Sequence, residues 1–191
     1  MASARVHYLL VPGWNGSPEG HWQSHWHAVL PNAARVEQDN WHQPQLQQWV
    51  DTLQRSIESL PGPVILIAHS LGCITVAHWA RQADPASLDR IRGALLVAPA
   101  DVERAGCPVE LINFAPLPVR PLPFPSVLVG SSNDHAASAR RALAFASCWG
   151  SEAVILPGVG HINVDSGHAR WEEGFAFLYR LQQHVECARV A

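Results

Sequence analysis

Two hydrophobic periods alternate along this chain. Nearly continuous apolar runs occur at Val6-His7-Tyr8-Leu9-Leu10-Val11, Val64-Ile65-Leu66-Ile67, Ile91 to Val97, Ser126 to Gly130 and Ala153-Val154-Ile155-Leu156. Each is short and most are bounded by Pro or Gly, which predicts strands buried on both faces of a parallel sheet. Ala34-Arg35-Val36-Glu37 predicts a further short strand. Between the strands the spacing changes to three and four: Leu46, Trp49, Val50, Leu53, Ile57 and Leu60 mark one face of an amphipathic helix. Helices are also predicted from Glu19 to Leu30, Cys73 to Ala83 and Ser138 to Trp149. The chain closes on a helix whose Trp171, Phe175, Leu178, Leu181 and Val185 share a face. Strand and helix in alternation predict an α/β fold, a parallel sheet covered on both sides.

Composition narrows this picture. A length of 191 residues, 48% hydrophobic and 15% charged, suits a single domain spanning 1–191 with a sizeable core. The 13 basic residues are all Arg and the net charge is −3, with no basic stripe to follow a phosphate backbone, so nucleic-acid binding is not expected. The absence of Lys removes Schiff-base chemistry and a P-loop lysine. Met1-Ala2-Ser3-Ala4-Arg5 leads into the first strand without an apolar leader, and no window approaches the ~18 apolar residues of a membrane span, so a cytoplasmic protein without membrane attachment is expected. Cys73, Cys107, Cys148 and Cys187 lack C-x-x-C spacing and are expected to be reduced thiols. Seven prolines between Pro99 and Pro125 exclude a long helix there. That stretch is either a semi-rigid surface connection or a wall of the substrate pocket.

The chemistry begins where the third strand ends. Val64 to Ile67 runs directly into Ala68-His69-Ser70-Leu71-Gly72 and then into a helix. A serine on such a strand-to-helix elbow is exposed for nucleophilic attack, provided a base takes its proton and donors meet the oxyanion. Ala68 stands where the motif usually has glycine. α/β-Hydrolases place nucleophile, acid and histidine in that chain order on loops after strands, and Ser70, Asp134 and His161 follow it. Asp134 comes after the Ser126–Gly130 strand, where its carboxylate could accept from the imidazole Nδ1. His161 comes after the last strand in Pro157-Gly158-Val159-Gly160-His161. Asp101, after the Ile91–Val97 strand, is the competing acid.

The remaining candidates surround this triad. An oxyanion hole takes one amide from the residue after the nucleophile, here Leu71, and one from the loop after an early strand. Trp14 is preferred over Asn15 for the second. Trp14, Asn15, Trp22 and His69 are the candidate substrate contacts, although core packing also accounts for most Trp residues. His135 and His168 read as surface or packing residues, with His168 at the start of the last helix, and Asp165 as a cap or loop acid there. His21 and His25 have the i, i+4 spacing of metal ligands, but no adjacent Glu completes a zincin-like motif; neither metal nor cofactor is expected.

Several of these segments together resemble a known family. Val11-Pro12-Gly13-Trp14-Asn15-Gly16-Ser17, His21-Trp22-Gln23, Ala68-His69-Ser70-Leu71-Gly72, Ser131-Ser132-Asn133-Asp134, and Gly160-His161-Ile162-Asn163 with Ser166-Gly167 and Trp171 resemble the small serine hydrolases that include retinoblastoma-binding protein nine and the YdeN-type bacterial proteins. The resemblance spans nearly the whole chain. It implies a compact α/β-hydrolase fold of about six parallel strands flanked by helices, without a large lid domain, and a Ser70, Asp134, His161 triad. Many relatives carry a tyrosine in the pair after the acid, where this chain has His135-Ala136, which implies a more open or differently polar pocket edge. The expected function is hydrolysis of a small ester-type substrate through an acyl-enzyme. Acyl transfer by the same serine, or a protein-interaction module on the same scaffold, are the alternatives.

Overall fold

Six strands form one parallel sheet in the order β2-β1-β3-β4-β5-β6: β1 His7–Val11, β2 Ala33–Arg35, β3 Val64–His69, β4 Ile91–Val97, β5 Ser126–Ser131 and β6 Glu152–Leu156. Helices α1 Trp22–Val29, α2 Leu46–Ser59, α3 Leu71–Gln82, α4 Pro85–Leu88, α5 Ala139–Trp149 and α6 Phe175–Val190 accompany them. The computed structural model describes residues 5–190, with side chains in the last helix described to residue 186. The leader reading at Met1-Ala2-Ser3-Ala4 and the Cys187 thiol lie outside the described residues. Cys73, Cys107 and Cys148 are free thiols.

The continuous apolar runs are explained by two-sided burial. Because successive side chains point to opposite faces, Leu66 and Ala68 of β3 pack with α2, α3 and α5, whereas Ile65 and Ile67 pack with Trp22 and Trp26 of α1 and Leu178 and Leu181 of α6. No helix among the described residues is long and apolar enough to cross a membrane.

Several boundaries differ from the sequence expectation. Strand β3 continues through Ala68 and His69, and α3 starts at Leu71, because both arms of the elbow keep regular geometry up to Ser70. Helix α1 begins at Trp22, since the His21 ring caps it by accepting from the Gln23 amide. The last helix starts at Phe175 after a 3₁₀ turn at Glu172–Gly174, with Trp171 in the left-handed region at φ 47°. His168 and Asp165 therefore precede it in loop, and neither caps it. The four-residue α4, with Asp84 accepting from the Ser87 amide as its cap, escaped the periodicity. The proline-rich stretch holds a 3₁₀ turn at Val109–Phe114, and its buried Leu111, Phe114, Leu117 and Phe124 join the α2/α3 core.

The winding order places the site. From β1 the chain steps to edge strand β2, then crosses to β3 on β1's other side, so connections leave β1 and β3 in opposite directions. The loops after β1 and β3 thus part at their carboxyl ends and leave a crevice, the usual ligand position in such sheets.

Candidate active site

Ser70 sits at that crevice in a strained conformation, φ 54° and ψ −121°. Its amide donates to Val97 O at 2.9 Å and its carbonyl accepts from the Cys73 amide at 3.0 Å, so the strain is held by β4 on one side and α3 on the other. Two glycines make the turn fit. A Cβ at Gly72 would lie 2.2 Å from Val11 O, and one at Gly13 would lie 2.8 Å from Ser70 Cβ. The first lets α3 start against the end of β1. The second lets the β1 loop pass over Ser70. Ala68 tolerates its methyl, which is buried in the α2/α3 core.

Asp134 and His161 arrive from β5 and β6. Asn133 Oδ1 accepts from the Gly160 amide at 2.7 Å and Ser132 Oγ from the Gly158 amide at 2.9 Å, which fastens the two loops together. His161 Nδ1 lies 2.9 Å from both Asp134 carboxylate oxygens, and its Nε2 lies 2.9 Å from Ser70 Oγ. A proton on Nδ1 directed at the carboxylate leaves the Nε2 lone pair facing the serine hydroxyl. Asp134 is fixed in turn by the Ala136 amide at 2.7 Å. Asp101 is committed elsewhere: its Oδ2 is 3.1 Å from Arg141 Nε, and Arg141 also pairs with Glu103.

The loop that carries His161 is gripped from below by ring donors. His69 Nε2 donates to His161 O and Trp22 Nε1 to Ile162 O, both at 2.9 Å. Residues 69 and 70 thus hold His161 twice, by its carbonyl and by its imidazole. Trp22, expected as a substrate contact, is fully buried and wedged between Trp26 and Trp171 at ring separations of 4.9 and 5.0 Å. It supports the loop from the core because α1 turns that face toward the sheet. Trp14, Asn15 and His69 do border the cavity over Ser70 and His161, which is about 380 Å³ and is walled also by His21, Asn163 and Asp165. No residue of the proline-rich stretch borders it; that stretch packs its buried residues into the α2/α3 core instead.

On the oxyanion side, the Asn15 amide donates to Trp41 O at 3.1 Å and its Oδ1 bonds His42 Nδ1 at 2.8 Å. Asn15 is thereby occupied with the Trp41-His42 loop. Among the described residues the Leu71 and Trp14 amides have no hydrogen-bond acceptor. Gln23 is the residue whose role the sequence did not disclose. Fully buried, it donates through Nε2 to Val11 O at 3.3 Å and Ile67 O at 3.0 Å, and accepts from Ser17 Oγ at 2.6 Å. It ties β1, β3 and the Gly13-Trp14 loop into one unit. The available signal was a glutamine on the same helical face as Trp22 and Trp26.

The buried histidines are held neutral. Burial, with repulsion from His161 and His168 added, lowers His21 to about 4, and burial chiefly drives His69 well below the ordinary histidine range. Once unfolded, both take up a proton near 6.5, so the unfolded state binds more protons between that value and about 4. Stability is therefore full above pH ~6.5 and is lost as pH falls through this window, by about 3 kcal/mol for His21 alone. Urea unfolding midpoints at about pH 7 and about pH 4.5 should show the loss, and His21→Asn, which keeps a capping oxygen, should shrink it. Of the His21/His25 pair, His21 uses its Nδ1 to accept from the Gln23 amide at 3.1 Å.

A doubly covered parallel sheet with a serine elbow after β3, an acid after β5 and a histidine after β6 defines an α/β-hydrolase. More narrowly, the chain belongs to the serine hydrolase family, whose model matches residues 8–180. It is 34% identical to a protein described as a YdeN-like hydrolase from Pectobacterium atrosepticum, with 95% of this chain and 92% of that one covered and a TM-score of 0.82. The ydeN gene product of B. subtilis shares the fold at 18% identity, a TM-score of 0.72, and coverage of 94% and 99%. A thermophilic esterase from Thermogutta terrifontis shares it at 15% identity and 0.68, with coverage of 96% and 91%. No curated protein sequence matches the chain significantly. The protein is a hydrolase.

Proposed function

We propose that this hydrolase cleaves small carboxylic esters through an acyl-enzyme on Ser70. The observation that carries this reading is the unbroken line from Asp134 through His161 to Ser70 Oγ, with each link at 2.9 Å. His161 Nε2 takes the hydroxyl proton as Oγ bonds to the acyl carbon. The carbonyl π pair moves onto its oxygen, which the Leu71 and Trp14 amides stabilise. Collapse of that intermediate breaks the bond to the alkoxy oxygen, which leaves with the proton from His161. Water then repeats the sequence: it gives a proton to His161, attacks the acyl carbon and releases the acid, and Ser70 recovers its proton. Asp134 holds the imidazole tautomer throughout. Structural neighbours named as an esterase and a monoacylglycerol lipase support the ester class.

A fluorophosphonate probe tests this directly. It should label the wild-type protein at Ser70 and leave Ser70→Ala unlabelled, and the same substitution should abolish turnover of p-nitrophenyl acetate. Equal labelling of both proteins would overturn the reading.

A further inference from the structure

One polar group on the cavity wall has no task in the chemistry described above. His21 is only 3% exposed, and it borders the cavity beside Ser70. Its Nδ1 accepts from the Gln23 amide at 3.1 Å, which places the ring proton on Nε2. Among the described residues nothing accepts from that Nε2–H. Trp22 and His69 hold the ring in place, with centroids at 5.5 and 4.9 Å. Since burial keeps the imidazole neutral, it offers a fixed, uncharged donor at neutral pH. Asp165 on the same cavity wall disfavours an anionic occupant by charge repulsion.

We propose that His21 Nε2–H forms a substrate subsite that donates to an uncharged oxygen, an ether, hydroxyl or carbonyl, carried by the ester close to its reacting carbonyl. The assignment rests on the esterase reading of Ser70. Its physical basis is that an alkyl group beside a buried donor removes the donor's water and returns no hydrogen bond, whereas an oxygen in the same place completes the bond. Plain alkyl esters are then accepted with a handicap, and oxygenated isosteres are preferred.

Isosteric ester pairs test this and locate the oxygen. On the acyl side the pairs are p-nitrophenyl butyrate against methoxyacetate and p-nitrophenyl 3-methylbutanoate against 3-oxobutanoate; on the alcohol side, butyl acetate against 2-methoxyethyl acetate. Intrinsic reactivity cancels when wild type and variant are compared on the same pair. His21→Asn keeps a capping oxygen for Gln23 but withdraws the donor from the cavity, and should reduce the oxygenated-to-plain ratio of kcat/KM about tenfold in the pair whose oxygen meets the subsite. His21→Gln, whose amide nitrogen reaches as far as the imidazole Nε2, should restore much of that preference; if the asparagine variant does not fold, His21→Ser, which keeps a capping oxygen but has no donor at that reach, takes its place in the test. Ratios unchanged from wild type in all three pairs for the asparagine or serine variant would overturn the subsite. Turnover by Ser70→Ala as fast as by wild type would instead overturn the esterase reading.

Discussion

Asp134→Asn is expected to lower turnover of p-nitrophenyl acetate by about 10⁴-fold, with the fold intact, by analogy with other Ser-His-Asp sites. An asparagine at this place can still meet His161 Nδ1, but its amide NH₂ can occupy that place and favour the tautomer that puts the imidazole proton on Nε2. That proton would then face Ser70 Oγ, and the base would be lost. Asp101→Asn provides the contrast. Asp101 pairs with Arg141, so its substitution should leave kcat within a few-fold of wild type while loosening the loop that follows β4. Steady-state kinetics of both variants decide which acid serves His161, and the opposite ranking would assign it to Asp101.

Gly72→Ala should be the most damaging small substitution in the molecule. The added methyl would sit 2.2 Å from Val11 O and 2.7 Å from Pro12 O, both backbone atoms of the strand end and loop beside Ser70, so no side chain can rotate away. Relief requires α3 and β1 to separate, which would open the core between them. A cost of about 3 kcal/mol or more is expected, or a fall in Tm on the order of 6–12 °C for a chain of this size. Calorimetry measures it. Gly106→Ala is a suitable reference because a Cβ there meets nothing within 4 Å, although its φ of +73° retains some backbone strain.

Much of the site could be read before folding was considered. Ser70, Asp134 and His161 were legible because each follows an apolar run in an order that a parallel α/β sheet imposes, and the sheet then brings strand ends to one edge. Leu71 was a candidate donor from the elbow itself. The preference for Trp14 over Asn15 had no basis in spacing. It is supported by the Asn15 amide donating to Trp41, a contact with a loop distant in sequence. Trp22 went the other way: its place near the proposed oxyanion loop suggested a contact, whereas the helical rotation of α1 turns it into the core.

The sequence by itself determined the strands, the larger helices and the order of Ser70, Asp134 and His161 along them, because hydrophobic period and chain order are local properties of the polymer. Only the tertiary structure decided which donors are already occupied and which remain free. Gln23 bridges two strand ends, His69 and Trp22 grip the His161 loop, and His21 keeps a free Nε2–H. All depend on partners brought together by sheet closure, and for His69 and Trp22 those partners lie 92 and 140 residues away. For Ser70, the sequence supplied the candidate nucleophile, and the folded loops around it supplied its geometry.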